Sequence, residues 1–460
     1  MNKIELKEKY INYFLSKDHK FLKPASLVPD DNTTLFTSAG IQQLVPIMIA
    51  GEEGKDGNKL VNYQKCLRLT DIENIGDSYH HTFFEMLGNW SLNSYFKKEV
   101  IEMSFDFLVN ELKLDINRLA ISVFEGDENL PRDDEAAEIW NNLGIPKPRI
   151  AFLGSEDNWW PSVNEKGPCG SDTEIFYWRS NDPVPNYFDP NDSRWVEIWN
   201  NVFIQYNRDE NMNLIKLEKR YIDTGMGVER VTSILNDLDD NYKSDIFKPL
   251  INVIEQASNK EYSDELSKKD MRIIADHIRA IVMICSDGKN IYPSNKDRGY
   301  ILRRLIRRLI ISSHKLKIKN VPVLVFKLVN CYSEIMAKYY PYVESEKDRI
   351  IKIMVDENSK FERVLKDGEK RVQKAIQVIK EDKLSYLDSK IIFRLYETYG
   401  VPFDLTYSIL DDNDILYNRN EVEKLFIKHK ENSSKSVEKK FGEGLSSNTV
   451  NKELVHKKNF

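Results

Sequence analysis

Two neighbouring stretches, YQKCLRLTDIE at residues 63–73 and HHTFFEMLGNWS at residues 80–91, decide the fold of this chain. The first is typical of a strand that ends with Arg68 on its buried side, and the polar residues around Gly76 favour a turn. Residues 82–87 then indicate a returning strand rich in aromatic side chains. Because arginine binds phosphate as a planar fork and an aromatic face can stack on a base, this hairpin favours a nucleotide whose phosphate is attacked.

A second motif, DTGMGVER at residues 223–230, has the composition of a strand-to-helix turn. Gly225 and Gly227 let the backbone approach a ligand closely, and the apolar spacing after them predicts a helix. Arg230 falls in the first turn of that helix, where the helix N-terminus also favours a phosphate. A Gly-x-Gly before a helix is a weak signal by itself, so a plain structural turn is the alternative interpretation.

Together the two stretches resemble motif 2 and motif 3 of the class II aminoacyl-tRNA synthetases. Their residues are similar to those of the alanyl-tRNA synthetase family. Five further matches follow in the family's order: LFTSAG at 35–40, GPCG at 167–170, EIWN at 197–200, PSN at 293–295 and YGVPFD at 399–404. So many ordered matches make coincidence very improbable. The sequence departs from many members after Gly170 and in a shorter loop after Arg68. The resemblance implies an α+β fold, in which an antiparallel β-sheet flanked by helices is followed by an all-helical domain.

The resemblance also implies the reaction: ATP activates L-alanine to alanyl-adenylate, and the alanyl group passes to the 3′ end of tRNA(Ala). Arg68 would contact the α-phosphate and the alanine carboxylate, and Arg230 would contact the terminal phosphate. The resemblance therefore implies that both arginines are catalytic. Mg²⁺ would bridge phosphates. The implied ATP-binding residues are Arg68, Glu73, His80, Phe84, Gln205, Gly227 and Arg230. The implied alanine-binding residues are Trp160, Asn200, Val202, Asp223 and Gly225. Of these, Phe84 would stack on adenine and Asp223 would hold the substrate ammonium.

Residues 195–207 alternate as a strand. The alternation predicts one face with Glu197, Trp199, Asn201 and Phe203, and an opposite face with Val196, Ile198, Asn200, Val202 and Ile204. Asn200 in an apolar row needs a partner if it is buried. Either the backbone satisfies this amide, or it contacts the alanine substrate as the resemblance implies.

Beyond residue 237 the pattern turns helical, and one predicted helix carries four arginines opposite an apolar stripe. A solvated charged face is the usual explanation, but no acidic residue offsets these arginines between residues 300 and 319, which favours a phosphate-backbone footprint. The resemblance adds Asn295 and Asp404 as readers of a G·U pair in the acceptor stem. The predicted tRNA-binding residues are Asn295, Arg303, Arg304, Arg307, Arg308 and Asp404.

Composition sets further bounds on this chain of 460 residues with a net charge of -6. We expect a catalytic domain at residues 1–237, a helical tRNA-recognition domain at 238–430 and a flexible polar tail at 431–460. The four cysteines have no paired spacing, which argues against a zinc site or disulfides and fits a reducing cytoplasm. No apolar run is long enough to span a membrane, and the N-terminus lacks a signal sequence. Longer family members continue into editing and dimerisation domains, so we expect a monomer that does not edit.

Two alternative functions remain open at this stage. A catalytically inactive relative that binds RNA would not need Arg68, Asp223 and Arg230 together, and all three are present. An enzyme that loads amino acids onto a carrier other than tRNA would not need the basic helical half.

Overall fold

The computed structural model describes residues 1–428 except residues 30–33, 56, 70, 71, 73, 74, 162–165 and 383, and it leaves out the side chains of residues 404 and 408. Three predictions therefore lie outside the described residues: the roles of Glu73 and of the Asp404 side chain, and the tail at 431–460. In the part of the chain that is described, no helix combines the length and apolar character needed to cross a membrane.

A nine-stranded sheet dominates the first half of the described chain. Its strands are β1 (Lys20–Phe21), β2 (Lys59–Leu67), β3 (Phe83–Leu92), β4 (Leu119–Phe124), β5 (Ile150–Leu153), β6 (Trp159–Trp160), β7 (Gly167–Trp178), β8 (Trp195–Arg208) and β9 (Leu214–Gly227). The spatial order is β1-β2-β3-β9-β8-β7-β4-β5, with β6 paired to β7. Only the β1–β2 and β4–β5 pairs are parallel. The predicted α+β fold with a mainly antiparallel sheet is confirmed.

Helices cover the sheet and form the second half. They are α1 (Lys3–Ser16), α2 (Val45–Ala50), α3 (Lys97–Phe105), α4 (Asp134–Asn142), α5 (Val228–Ile234), α6 (Lys248–Ser258), α7 (Glu265–Ser286), α8 (Asp297–Lys315), α9 (Val321–Met336), α10 (Tyr342–Glu381), α11 (Ser389–Tyr399) and α12 (Phe403–Asp411). Helix α11 ends at Gly400, whose φ of 67° suits a residue without a side chain. The longest of these helices, α10, contains 40 residues.

The two faces of the sheet bury different side chains, because successive residues of a strand point to opposite sides. From β3, Phe83 and Leu87 enter the large core shared with α7 and α8. Met86 and Trp90 enter a smaller apolar cluster on the other face, against which Phe84 packs. We call this second face the cleft face, since the predicted ligand-binding residues lie on it.

A bulge in β8 corrects one prediction from the sequence. Glu197 pairs with Phe176 and Trp199 pairs with Ile175, so Ile198 is an extra residue in β8. Ile198 and Trp199 both enter the large core. Glu197 consequently points to the cleft face, and the predicted strict alternation, which placed Glu197 opposite Asn200, was wrong because a bulge shifts the phase of a strand by one residue.

Candidate active site

Arg68 lies immediately after β2, at the loop end of the β2–β3 hairpin. Its guanidinium lies over the Phe84 ring, 5.2 Å from the centroid, and its Nε donates to the Ser38 carbonyl at 3.2 Å. The predicted hairpin is confirmed, but the predicted buried side of Arg68 is wrong, because this side chain is exposed. The strand ends one residue earlier, at Leu67, which leaves Arg68 accessible to a charged ligand.

Asp223 on β9 is a buried carboxylate, only 6% exposed. The Trp90 indole Nε1 donates to its Oδ1 at 2.7 Å. Burial raises the pKa of Asp223 to about 7, against the opposing effects of the Trp90 hydrogen bond and the positive charge of Arg68. A carboxylate that is costly to ionise in the empty site gains most from a cationic ligand, which suits an ammonium group.

Strand register brings a row of side chains together on the cleft face. Asp172 of β7 pairs with Val202 of β8, and Val202 pairs with Asp223 of β9. In the neighbouring row Asn200 pairs with both Glu174 and Gly225. Three predicted alanine-binding residues from two strands, Val202, Asp223 and Asn200, are thus adjacent, and two carboxylates flank them.

The partner of the Asn200 amide is a side chain. Its Nδ2 donates to Asp172 Oδ2 at 3.3 Å, while Asn158 Nδ2 donates to Asp172 Oδ1 at 2.9 Å. Burial raises the pKa of Asp172 to about 7 in spite of these two donors. The Asn200 Oδ1 atom is buried and has no partner among the described residues. The backbone interpretation of Asn200 is therefore wrong, and a substrate contact remains a prediction for the unused oxygen.

Apolar walls surround these polar groups. Val202, Trp90 and Met86 belong to the buried cluster of the cleft face, and Trp160 packs against it. A Cβ added at Gly225 would lie 2.9 Å from the Met86 sulfur, so this position accepts no larger residue without displacing a wall. Such walls beside Asp223 favour a ligand that has a small apolar group next to its ammonium.

Arg230 in the first turn of α5 is held by β8. Its Nη1 donates to the Glu197 carbonyl at 2.9 Å and to Glu197 Oε2 at 2.8 Å, and its guanidinium is 5.8 Å from the centre of the Tyr79 ring. Burial and the nearby Glu197 carboxylate together raise the pKa of Glu174 well above its usual range. Two carboxylates and one guanidinium therefore meet at the β7–β8–α5 junction.

The described residues contain no group of three or more His, Cys, Asp or Glu side chains able to hold a metal ion unaided. Glu174 and Glu197 supply carboxylate oxygens of the kind that Mg²⁺ shares with substrate phosphates. These two carboxylates fit a divalent cation that arrives with a nucleotide.

The other predicted nucleotide contacts occupy distinct positions. His80 is held near the hairpin turn by Asp77, with 2.5 Å between Nδ1 and Oδ2. Gln205 is a half-buried extra residue of β8 relative to β7, at a second irregularity between Ile204 and Tyr206. Gly227 caps α5, and a Cβ there would meet only Arg230 atoms at 3.9 Å. The structure brings Gly227 beside Arg230 but places Gln205 beyond Val202 along β8.

Four important residues of the cleft escaped the sequence-based prediction of the site: Trp90, Asp172, Glu174 and Glu197. Asp172 and Glu174 are two positions apart in SDTE at residues 171–174, so a strand there carries both carboxylates on one face. This spacing could have indicated the pair from the sequence. Trp90 carried no signal, because only the β3–β9 pairing shows that its indole reaches Asp223.

Several arginines of α8 form hydrogen bonds within the protein, which the sequence did not indicate. Arg307 Nε donates to Glu357 Oε1 at 2.7 Å, and Arg308 Nε donates to His277 Nε2 at 3.1 Å. Arg303 donates to the exposed Asn295 side chain. The sequence has no acidic residue between 300 and 319, but Glu357 of α10, fifty positions from Arg307 in the chain, pairs with that arginine. The phosphate-backbone footprint stays a prediction.

Comparisons with known proteins identify the family of this chain. A family model described as tRNA synthetases class II (A) matches residues 5–460. The alanine–tRNA ligase of Borrelia hermsii is 42% identical over 98% of this chain and 76% of its own length. That of Treponema denticola is 40% identical over the same shares. Among solved structures, a pyrrolysyl tRNA synthetase of Desulfitobacterium hafniense covers 52% of this chain and 71% of its own at 8% identity, with a TM-score of 0.31, too weak to add to the assignment.

The family match, with a mainly antiparallel sheet and with Arg68, Arg230 and the buried Asp223 around its cleft face, identifies a class II aminoacyl-tRNA synthetase. Within that class, the chain belongs to the alanine–tRNA ligases, the family to which both curated relatives belong.

Proposed function

We propose that this chain activates L-alanine with ATP and transfers it to tRNA(Ala). The observation that carries the proposal is the buried Asp223 beside small apolar walls, with Arg68 over Phe84 at the loop end of the β2–β3 hairpin. ATP–pyrophosphate exchange with each of the twenty amino acids tests the first half-reaction. Exchange with alanine well above all others is the expected result, and no exchange with any amino acid would contradict the proposal.

The proposed chemistry depends on positioning and charge neutralisation more than on a general base. Asp223 holds the ammonium and Asn200 contributes its unused Oδ1 atom to the same group. Arg68 draws the alanine carboxylate and the α-phosphate together, and its position over Phe84 leaves an aromatic surface for adenine nearby. Arg230 neutralises the terminal phosphate. Glu174 and Glu197 would hold Mg²⁺, which supplies further neutralisation of phosphate charge when bound.

The inactive-relative alternative is less well supported. A protein that only binds RNA gains nothing from a carboxylate whose burial opposes its ionisation in the empty site. We further propose that residues 1–237 are the catalytic domain, that residues 238–430 recognise tRNA, and that the chain acts as a cytoplasmic monomer without zinc. Light scattering of the purified chain checks the oligomeric state.

For tRNA binding, we expect Arg303→Ala to weaken binding of all tRNAs and to lower the salt slope by about one unit, because a phosphate contact gives affinity without sequence information. Filter binding across a salt series measures both effects. Replacing Asp404 is instead expected to relax selectivity for an acceptor-stem G·U pair. Lys98→Ala on the exposed face of α3 is the control, and an unchanged salt slope in the Arg303 variant would contradict the assignment.

For substrate selection, we expect serine to be activated at a detectable level. An apolar pocket rejects an added hydroxyl poorly, and a missing methyl group costs a competitor only about 1–3 kcal/mol. Val202 and Trp160 set this limit, since both contribute to the apolar wall. Exchange assays with serine and glycine beside alanine provide the measurement, and complete absence of serine-dependent exchange would show a tighter pocket than these walls imply.

A further inference from the structure

A chain of hydrogen bonds connects helix α8 to the hairpin that carries Arg68. Arg308 Nε donates to His277 Nε2 at 3.1 Å, and His277 Nδ1 donates to Asp276 Oδ2 at 2.9 Å. Asp276 in turn accepts the Thr82 backbone N–H at 2.9 Å and the Thr82 hydroxyl at 2.6 Å. The Thr82 carbonyl accepts the Arg68 backbone N–H at 3.0 Å, so five residues link the two elements.

Only one assignment of donors and acceptors is consistent with this series of hydrogen bonds. Arginine only donates, so His277 Nε2 must accept and the ring must be neutral with its proton on Nδ1. Burial lowers the pKa of His277, in agreement with a neutral ring. Although burial opposes ionisation of Asp276, the hydrogen bond from His277 and the nearby His81 imidazole hold the pKa of Asp276 below its usual range. Because Asp276 accepts hydrogen bonds from both Thr82 and His277, these groups are held in one arrangement, and the network acts as a rigid support.

Arg308 also reaches the other side of the hairpin end. Its Nη2 donates to the Ile72 carbonyl at 3.2 Å, in the segment that follows Arg68. Asp276 fixes the start of the returning strand through Thr82, and Arg308 fixes the segment that leaves the first strand. Both ends of the loop beside Arg68 are thus attached to the helical half of the protein.

We propose that Arg308, His277 and Asp276 are positioning residues for Arg68, so that amino-acid activation depends on a contact made by helix α8. The proposal rests on the activity proposed above. It assigns to Arg308 a role in activation in place of the phosphate-backbone contact expected from the sequence. Displacement of a catalytic group by about 1 Å costs on the order of a hundredfold in rate, so loss of this support has a measurable effect.

The variants Arg308→Met and His277→Asn test the proposal. Met keeps much of the arginine stem and removes the hydrogen bonds that Arg308 donates to His277 and Ile72, whereas Asn retains a donor to Asp276 and loses the acceptor for Arg308. We expect each to lower kcat of pyrophosphate exchange by about tenfold or more while leaving the Kd for tRNA within about twofold. Arg349→Met is the matched control, because Arg349 also joins a helix to a backbone carbonyl, that of Cys285, without contacting the hairpin.

Hydrogen–deuterium exchange gives a readout that does not require activity. The Arg68 amide, which donates to the Thr82 carbonyl, is expected to exchange faster in Arg308→Met than in the wild type, and no faster in Arg349→Met. If the wild type showed no pyrophosphate exchange, the proposed function would be contradicted. The hydrogen–deuterium comparison could still be made. Protection of the 63–68 peptide equal to the wild type in Arg308→Met, together with an unchanged kcat, would overturn the positioning role.

Discussion

Replacing Arg68 by alanine is expected to slow alanine-dependent pyrophosphate exchange by roughly a hundredfold or more. A preorganised charge that contacts the reacting phosphate is worth about that factor when removed. Arg68→Lys should recover only part of the rate, since an ammonium keeps the charge but loses the planar fork. Initial exchange rates at saturating ATP and alanine measure the loss.

A matched control for Arg68 lies on another part of the surface. Arg132 also lies over an aromatic ring, 4.5 Å from the centre of Phe152, and it pairs with Asp134. Arg132→Ala therefore removes an exposed cation–π contact without touching the cleft, and we expect wild-type exchange. Wild-type exchange by Arg68→Ala would refute the assignment of Arg68 to the α-phosphate.

Replacing Asp223 by asparagine is expected to raise the KM for alanine by about tenfold to a hundredfold. Hydrogen bonds to charged groups contribute about 1.5–3 kcal/mol, and a neutral amide cannot offset an ammonium charge. The Trp90 indole keeps its acceptor, because an asparagine Oδ1 occupies the place of the carboxylate oxygen. Steady-state exchange at varied alanine and fixed ATP measures KM, which should change more than the KM for ATP.

Asp223→Asn is expected to weaken alanine binding but to increase the stability of the fold. An unfolded aspartate has a pKa near 3.9, well below the value of about 7 in the fold. The native state therefore binds the extra proton between these two values, and the free energy of unfolding falls as the pH rises from about 4 to about 7. Asp223→Asn removes this loss and should be more stable than the wild type at pH 8.

Urea unfolding at pH 5 and pH 8 separates the two consequences. We expect the stability difference between Asp223→Asn and the wild type to grow with pH in the absence of ligand. Asp237→Asn, at an exposed carboxylate, is the control for a charge change alone. An equal difference at both pH values would show that Asp223 is ionised throughout, and an unchanged KM for alanine would remove its substrate role. A gain in stability with a loss of binding is expected for a site whose charge is costly until a ligand arrives.

The amino-acid sequence by itself determined the elements whose signals are local. The hairpin of β2 and β3 follows from alternation and turn residues within thirty positions, and the strand-to-helix turn at Gly227 follows from its glycines and the apolar spacing after them. Those two motifs also placed Asp223 and Arg230 on elements that meet in the fold, whereas Arg68 lies one residue past its predicted strand and is exposed. Local patterns sufficed there because each depends on neighbouring backbone conformation.

Tertiary structure alone decided which groups face one another. The bulge at Ile198 turned Glu197 toward Arg230, because an extra residue reverses the phase of a strand and the partner strand, not the local sequence, determines where it occurs. Glu357 reached Arg307, and His277 reached Arg308, across distances in the chain that no local pattern encodes. A run of charged residues in a sequence shows only that its sequence neighbours do not neutralise it. Because burying an unpaired guanidinium is costly, its partner in the fold can come from any element that packs against it.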